Sequence, residues 1–443
     1  MRNKILIISV FLSLAIYAQE KKTIIHPDWS KSSVIYEVNV RQYTPEGTFA
    51  AFEKHLPKLK ALGVDILWLM PINPIGILNR KGSLGSYYSV RDYKAVNPEF
   101  GTLDDFKKLV QKIHKMKMHV IIDWVANHTA WDNVWIKDHK DFFTHDSKGN
   151  FVAPVADWTD VIDLNYDNKE LWNYMIDAMS YWLKECDIDG FRCDVAAMIP
   201  TEFWLEAYPE LSKIKKVFML AEANENFLHQ AFDMTYNWQL KDLMKEIASG
   251  KKKTDSLTAF FETEKKVYKP NDYRMNFTSN HDVNSWDGTE FERLDGGATS
   301  FAVLCQLAPG MPLIYTGQEA GMNKRLRFFD KDTVNWKQSK MRSIYTQLNH
   351  LKKSNQALWN GTEGGEIKSI DCGNKNIYAF TREKNGNKIF AIFNFSKTSQ
   401  KVKINSDAIS GKYKDVFKKG TLKTIANNFE TALQPWEYRV FSK

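Results

Sequence analysis

Gly190-Phe191-Arg192-Cys193-Asp194 reads as a short strand that ends in charge. Alternate residues of a strand share a face, so Arg192 and Asp194 point one way while Phe191 and Cys193 point the other, into packing. Three further runs end similarly: Asp123 opens Asp123-Trp124-Val125-Ala126-Asn127-His128, Glu222 follows Leu220-Ala221, and Asn280-His281-Asp282 closes a fourth. Acids gathered at the C-terminal ends of strands are where a parallel barrel carries its chemistry.

From residue 34 to 354, short β-rich runs alternate with longer amphipathic segments, which predicts parallel strands joined by right-handed helical crossovers. The strand candidates are 34–40, 65–70, 119–125, 190–195, 217–221, 232–236, 274–278 and 312–315. Between the second and third, Thr102 and Asp105 form an N-terminal cap ahead of Leu103, Phe106, Leu109, Val110 and Ile113 on one helix face. Another helix ends at Gly63 after Phe52, Leu56, Leu59 and Leu62, with Pro57 placed to kink it. Eight such units fit a (β/α)8 TIM barrel better than an open doubly wound sheet. The barrel is expected over 19–127 and 166–354, with a small inserted lobe at 128–165 after the third strand. Over 355–443 the helical signal gives way to β segments at 377–381, 388–395, 401–404, 412–417 and 436–441, expected to form an antiparallel β-sandwich. Asn385-Gly386 marks a tight hairpin turn between the first two.

Composition narrows the function classes. The chain has 443 residues, 43% hydrophobic and 26% charged, which excludes a disordered or fibrous protein. Aromatics reach 13%, as needed either by large cores or by a cleft whose rings stack on sugars or bases. The net charge of +8 is scattered, and the lysines at 251–253 and 265–266 read as solvated faces, so no nucleic-acid partner is expected. No Gly-rich phosphate loop follows a strand.

Residues 1–18 carry Arg2 and Lys4, the apolar run 5–17, and Ala18 before Gln19 and Glu20. This is the pattern of a signal peptide, so the mature protein is expected to be exported, to the periplasm or the medium. The run is too short to span a bilayer, and no membrane insertion is expected. Cys186, Cys193, Cys305 and Cys372 are too few and too dispersed for a disulfide framework or a zinc site; they read as buried thiols, with one bridge left open.

The guanidinium of Arg192 favours an ionised Asp194, a plausible nucleophile, whereas Glu222 among negative groups would keep its proton. Cleavage of a glycoside needs that division: one carboxyl protonates the leaving oxygen while another attacks the anomeric carbon. Any one of these acids alone reads as a cap or an ion-pair partner. Together, and in this order, Asp123 to His128, Gly190 to Asp194, the strand ending at Glu222, and Asn280 to Asp282 resemble the four short regions of the α-amylase family of retaining glycoside hydrolases.

That resemblance implies Asp194 as nucleophile, Glu222 as general acid and base, and Asp282 as transition-state stabiliser. It implies that Tyr88, His128, Arg192 and His281 contact substrate, Tyr88 as a stacking platform, and that Asp123 supports Arg192. The segment 312–319 is similar to the family's eighth strand. A structural Ca2+ held by Asn127 and by Asp163 of Asp163-Leu164-Asn165 is also implied, since oxygen donors suit a hard cation. Here the chain departs from the pattern: Val195-Ala196-Ala197-Met198 stands where many α-amylases have Lys-His, leaving a Met198 carbonyl as substitute donor. The implied activity is cleavage of α-1,4-glucosidic bonds in starch-derived glucans or maltooligosaccharides by a monomer. Transglycosylation, or attack on cyclodextrin or pullulan, is the alternative. A non-catalytic glucan-binding homologue is disfavoured because no member of the acidic triad is missing.

Overall fold

The eight expected strands close into one ring. In the computed structural model, which describes residues 24–418 and 420–443, chain order gives β1 (Ile35–Val38), β2 (Ile66–Leu69) and β3 (His119–Trp124). The lobe strands β4 (His128–Ala130) and β5 (Val161–Asp163) come next, then β6 (Gly190–Cys193), β7 (Phe218–Ala221), β8 (Met234–Tyr236), β9 (Tyr273–Asn276) and β10 (Met311–Tyr315). The closed barrel runs β1-β10-β9-β8-β7-β6-β3-β2, and its paired neighbours are parallel. The expected signal peptide at 1–18 lies outside the described residues.

Parallel strands covered on both faces read as continuous apolar runs rather than alternating ones. Ile66–Leu69, Ile-Leu-Trp-Leu, is buried at every position. Ile35, Ile66, Trp68, Ile121, Phe218, Leu220 and Met311 belong to the cluster that fills the ring, while outward residues such as Leu67, Val120, Ile122, Phe191 and Met219 join the larger core beneath the helices. The helix Leu103–Lys115 carries the expected reciprocal cap between Thr102 and Asp105 and buries Phe106, Leu109, Val110 and Ile113. Pro57 does more than kink its helix. The segment divides into Phe49–Glu53 and Leu56–Leu62, with Pro57 in the first turn of the second, where its missing N–H leaves no bond unmade.

The lobe is wider than 128–165. The antiparallel pair β4·β5 is joined by the segment after β2, where Ile75 bridges Val90 and the Val90 carbonyl accepts from Ala130 N at 2.9 Å. Beyond the barrel, β11 (Ile367–Ile370), β12 (Ile377–Lys384), β13 (Asn387–Asn394), β14 (Gln400–Asn405), β15 (Gly411–Asp415), β16 (Leu422–Ile425), β17 (Asn428–Leu433) and β18 (Tyr438–Ser442) complete the chain. They form a six-stranded sheet, β11-β12-β13-β18-β15-β16, and a pair, β14-β17, sharing the cluster of Phe390, Ile392, Val402, Ile404, Phe429 and Phe441. Asn385 and Gly386 both have positive φ, 48° and 81°, as the β12–β13 hairpin requires. Arg382 on β12 is buried and donates to the carbonyls of Leu307, Ala308, Trp359 and Gly365, tying this sheet to the barrel. All four cysteines are free thiols, three of them buried. Among the described residues no helix is long and apolar enough to cross a membrane.

Gly190 opens β6 at φ 153°, and a Cβ there would lie 1.9 Å from the Phe218 carbonyl oxygen on β7. The strand that ends in Asp194 therefore packs where only glycine fits. Gly190→Ala is expected to destabilise the protein by about 3 kcal/mol. Urea unfolding measures it, and an unchanged midpoint contradicts the close β6–β7 approach.

Candidate active site

Parallel register brings Asp123, Arg192 and Leu220 level on β3, β6 and β7, so the residues just beyond those strands meet at the barrel mouth. Arg192 is fully buried. Its Nη1 donates to Asp123 Oδ1 at 2.7 Å and to Asp194 Oδ1 at 2.8 Å, and its Nε donates to Tyr236 Oη at 3.2 Å. Its Nη2 lies 2.8 Å from Glu222 Oε2, a contact of charge rather than of hydrogen-bond geometry. The rings of Trp68, Tyr88 and Tyr236 surround the guanidinium at 5.0 to 5.7 Å. Burial opposes its charge, but the nearby carboxylates, Asp123 first, outweigh burial and hold it cationic.

The acids differ in environment. Burial raises Glu222 to about 8, against the pull of Arg192 and with further push from Asp194 and Asp282. The cause is mainly desolvation, where the sequence pointed to negative neighbours. Asp194 is raised as well, to about 6, because burial outweighs the Arg192 guanidinium that was expected to favour its ionised form. The order of the pair is as expected, since Glu222, hydrogen-bonding Asp194, is the one that keeps the proton. Glu222 Oε2 also accepts from Val195 N at 2.9 Å. Val195 has φ 36°, a strained conformation for a β-branched residue, held where its N–H serves the acid.

Asp282 is the most open of the three, with its side chain 37% exposed. Burial would raise it, but His281, whose Nε2 is 3.2 Å from Asp282 Oδ2, lowers it overall. His281 is itself buried, with Nδ1 2.5 Å from Glu37 Oε1 and Nε2 2.7 Å from Tyr88 Oη. Its two nitrogens are thus occupied by protein groups. His128 on β4 is held neutral by burial, at about 4, with Nε2 3.9 Å from Asp194 Oδ2 and its ring edge-on to Trp158. Asp123 supports Arg192 directly and takes Trp68 Nε1 and Tyr88 Oη on its other oxygen, both at 3.0 Å.

Tyr88 belongs to the same network. Its ring lies near-parallel to His281 and Phe328 and is 8% exposed, so it is packed rather than an open platform. The open ring is Trp286, 58% exposed, which lies beside Asp282 and packs on Phe328 and Phe329. Sequence reasoning missed Trp286 and Glu37. Glu37 was visible as the one acid in the buried run Ile35–Val38, and Trp286 as an aromatic four residues beyond Asp282.

Asn127 and Asp163 come together through the β4·β5 pair, where the Asn127 carbonyl accepts from Leu164 N. Asp163 Oδ2 already accepts from Thr144 Oγ1 at 2.7 Å, and burial raises its pKa. No group of three or more His, Cys, Asp or Glu side chains able to hold a metal occurs among the described residues. The donors in hand are one carboxylate, one amide and backbone carbonyls, fewer anions than a tight calcium cage uses. Far from the acids, a groove of about 850 Å³ opens where the start of β9 meets β11 and β12; its arginines, Arg274 and Arg382, are already paired internally.

The catalytic-domain model of alpha amylase matches residues 25–159 and 155–394, and the maltogenic amylase C-terminal domain model matches 367–440. The crystal structure of an alpha-amylase from Lactobacillus plantarum is 30% identical, with a TM-score of 0.84 over 94% of this chain and 99% of its own. A maltogenic alpha-amylase from Thermotoga neapolitana matches with the same identity and coverage and a TM-score of 0.85. Alpha-amylase 2 of Dictyoglomus thermophilum is 25% identical, with 88% of this chain and 73% of its own length covered. The family match takes in all of the strands that carry the acids, and this chain belongs to the alpha-amylase family of glycoside hydrolases.

Proposed function

We propose that the chain cleaves α-1,4-glucosidic bonds in starch-derived glucans and maltooligosaccharides with net retention. The observation that carries this reading is the pair of carboxyls on one guanidinium, with Glu222 holding its proton to about 8 and Asp194 losing it near 6. Asp194 Oδ attacks the anomeric carbon as Glu222 gives its proton to the departing glycosidic oxygen, forming a glycosyl ester. Water then attacks the same carbon, Glu222 takes its proton, and Asp194 leaves as carboxylate. Two carboxyls within hydrogen-bond reach suit this covalent route, because an inverting pair must stand roughly 6.5 to 9.5 Å apart to admit water. Asp282, ionised and half-open, faces the positive charge that develops on the sugar, and Trp286 beside it offers an apolar face to a pyranose.

A sugar hydroxyl in place of water would make the same intermediate a transglycosylation donor. The segment Val195-Ala196-Ala197-Met198, with Met198 47% exposed and no charged side chain, favours this second reading as a companion activity. The leader pattern at 1–18 supports export to the periplasm or the medium. For calcium, Asn127 and Asp163 would be the donors, and the ion would neutralise Asp163 and brace the lobe; with one carboxylate in hand, the expected affinity is weak.

Asp194→Asn and Glu222→Gln are each expected to lower kcat/KM on maltoheptaose by about 10³-fold or more while the far-ultraviolet circular dichroism is kept. Undiminished turnover in either variant defeats the assignment. Proton NMR taken immediately after cleavage should show the α anomer; a β product indicates inversion.

The pH dependence follows from the two carboxyls. Asp194 must be ionised, so activity rises through about 6, and Glu222 must be protonated, so activity falls through about 8. A kcat/KM profile without a maximum between these limbs contradicts the roles. EDTA is expected to lower the melting temperature by only a few degrees, reversed by added Ca2+; no change in melting or activity removes the ion from the scheme.

A further inference from the structure

We infer that Glu37 is a positioning residue that keeps His281 doubly protonated, so that Nε2–H is shared between Tyr88 Oη and Asp282 Oδ2. The inference rests on the role proposed for Asp282 and adds a part to it.

His281 Nδ1 faces Glu37 Oε1 at 2.5 Å, and Nε2 faces Asp282 Oδ2 at 3.2 Å. Both partners are carboxylates, which accept, and a neutral imidazole has one N–H to give. With Glu37 ionised, only the imidazolium serves both; burial raises Glu37, and His281 is the first of the causes that oppose the rise. Tyr88 leads to the same answer independently: its hydroxyl has a single proton, donated to Asp123 Oδ2 at 3.0 Å, so towards His281 Nε2 at 2.7 Å the hydroxyl oxygen must accept.

β1 contributes Glu37, β2 the edge of Trp68, β3 Asp123 through Tyr88, and the segment beyond β10 contributes Phe328. Arg192 on β6 lies close enough to act on Glu37 and Asp282. Glu37 is the buried anion opposite Asp282, and its Oε2 has no other partner, so its charge is committed to His281. His281 is accordingly raised well above the usual histidine range despite burial, with Asp282 and Glu37 as the causes that oppose desolvation.

Glu37→Gln keeps an acceptor of the same shape and removes the charge. The neutral ring that results can still give Nδ1–H to the amide but no longer gives a proton to Asp282. Full-length protein labelled with 15N-histidine, with His281 assigned by comparison with His281→Gln, reads the ring directly. In the unsubstituted protein both ring nitrogens are expected to be protonated at pH 7 and to remain so above pH 8; in Glu37→Gln one is bare at pH 7. Glu37→Gln should lower kcat on maltoheptaose about tenfold, with a smaller change in KM, while the acidic limb set by Asp194 stays near 6. A single bare nitrogen on His281 of the unsubstituted protein at pH 7 overturns the inference, even if the variant does not fold. So does a folded Glu37→Gln with unchanged nitrogen signals. The nitrogen signals need no turnover, so failure of the unsubstituted enzyme to cleave maltoheptaose would count against the proposed function and leave this inference standing.

Discussion

The guanidinium of Arg192 is the constraint on which the site depends. It is fully buried and touches Asp123, Asp194 and Glu222 at once, from β3, β6 and the end of β7. A buried charge is tolerated only when paired and hydrogen-bonded, and the strength of such a pairing grows as water is excluded. The aromatic rings of Trp68, Tyr88 and Tyr236 exclude it here. Since each partner comes from a different strand, the contact exists only when the barrel is closed in the right register. Fold and chemistry are joined at that point.

The same burial explains why the carboxyls are unequal. Proximity to a cation lowers an acid, and desolvation raises it; for Asp194 and Glu222 desolvation wins in both, and the remaining difference comes from how Arg192 and the neighbouring acids are shared. Asp282 escapes the rise because it is more open and because His281 faces it. Accessibility to water therefore does as much as charge in setting which group gives a proton and which attacks.

Much of this was legible in the sequence because parallel barrel strands are short apolar runs and their acids stand at one end. Arg192 and Asp194 could be placed together by strand alternation, and Asp123 and Glu222 by their positions at strand ends, while their roles came from the family resemblance. The cause of the Glu222 shift could not, because burial depends on which rings from distant strands converge. Glu37 was hidden for a related reason: within Ile35–Val38 its partner, His281, lies 244 residues away. In the C-terminal sheets, β11 and β16 escaped notice since polar and exposed residues interrupt their alternation, as Leu422 at 75% exposure illustrates, and β17 because a polar Thr431 stands between Phe429 and Leu433 on its inward face. Pro57 was legible as a helix breaker but not as a helix starter, which depends on how the chain arrives at His55.

The balance of charge around the barrel mouth links these details to catalysis. Near neutral pH, Arg192 and His281 supply the positive charge, against Asp123, Asp194, Asp282 and Glu37; Glu222 holds its proton and adds none. The surplus is negative. Cleavage of a glycosidic bond builds positive charge on the ring oxygen and anomeric carbon, so a site with this surplus, fixed before substrate arrives, favours the transition state over the neutral sugar. Full neutralisation of the acids by further cations would remove that preference for the transition state. Two buried cations, each shared among several carboxylates, allow the acids to be packed together while their surplus is kept.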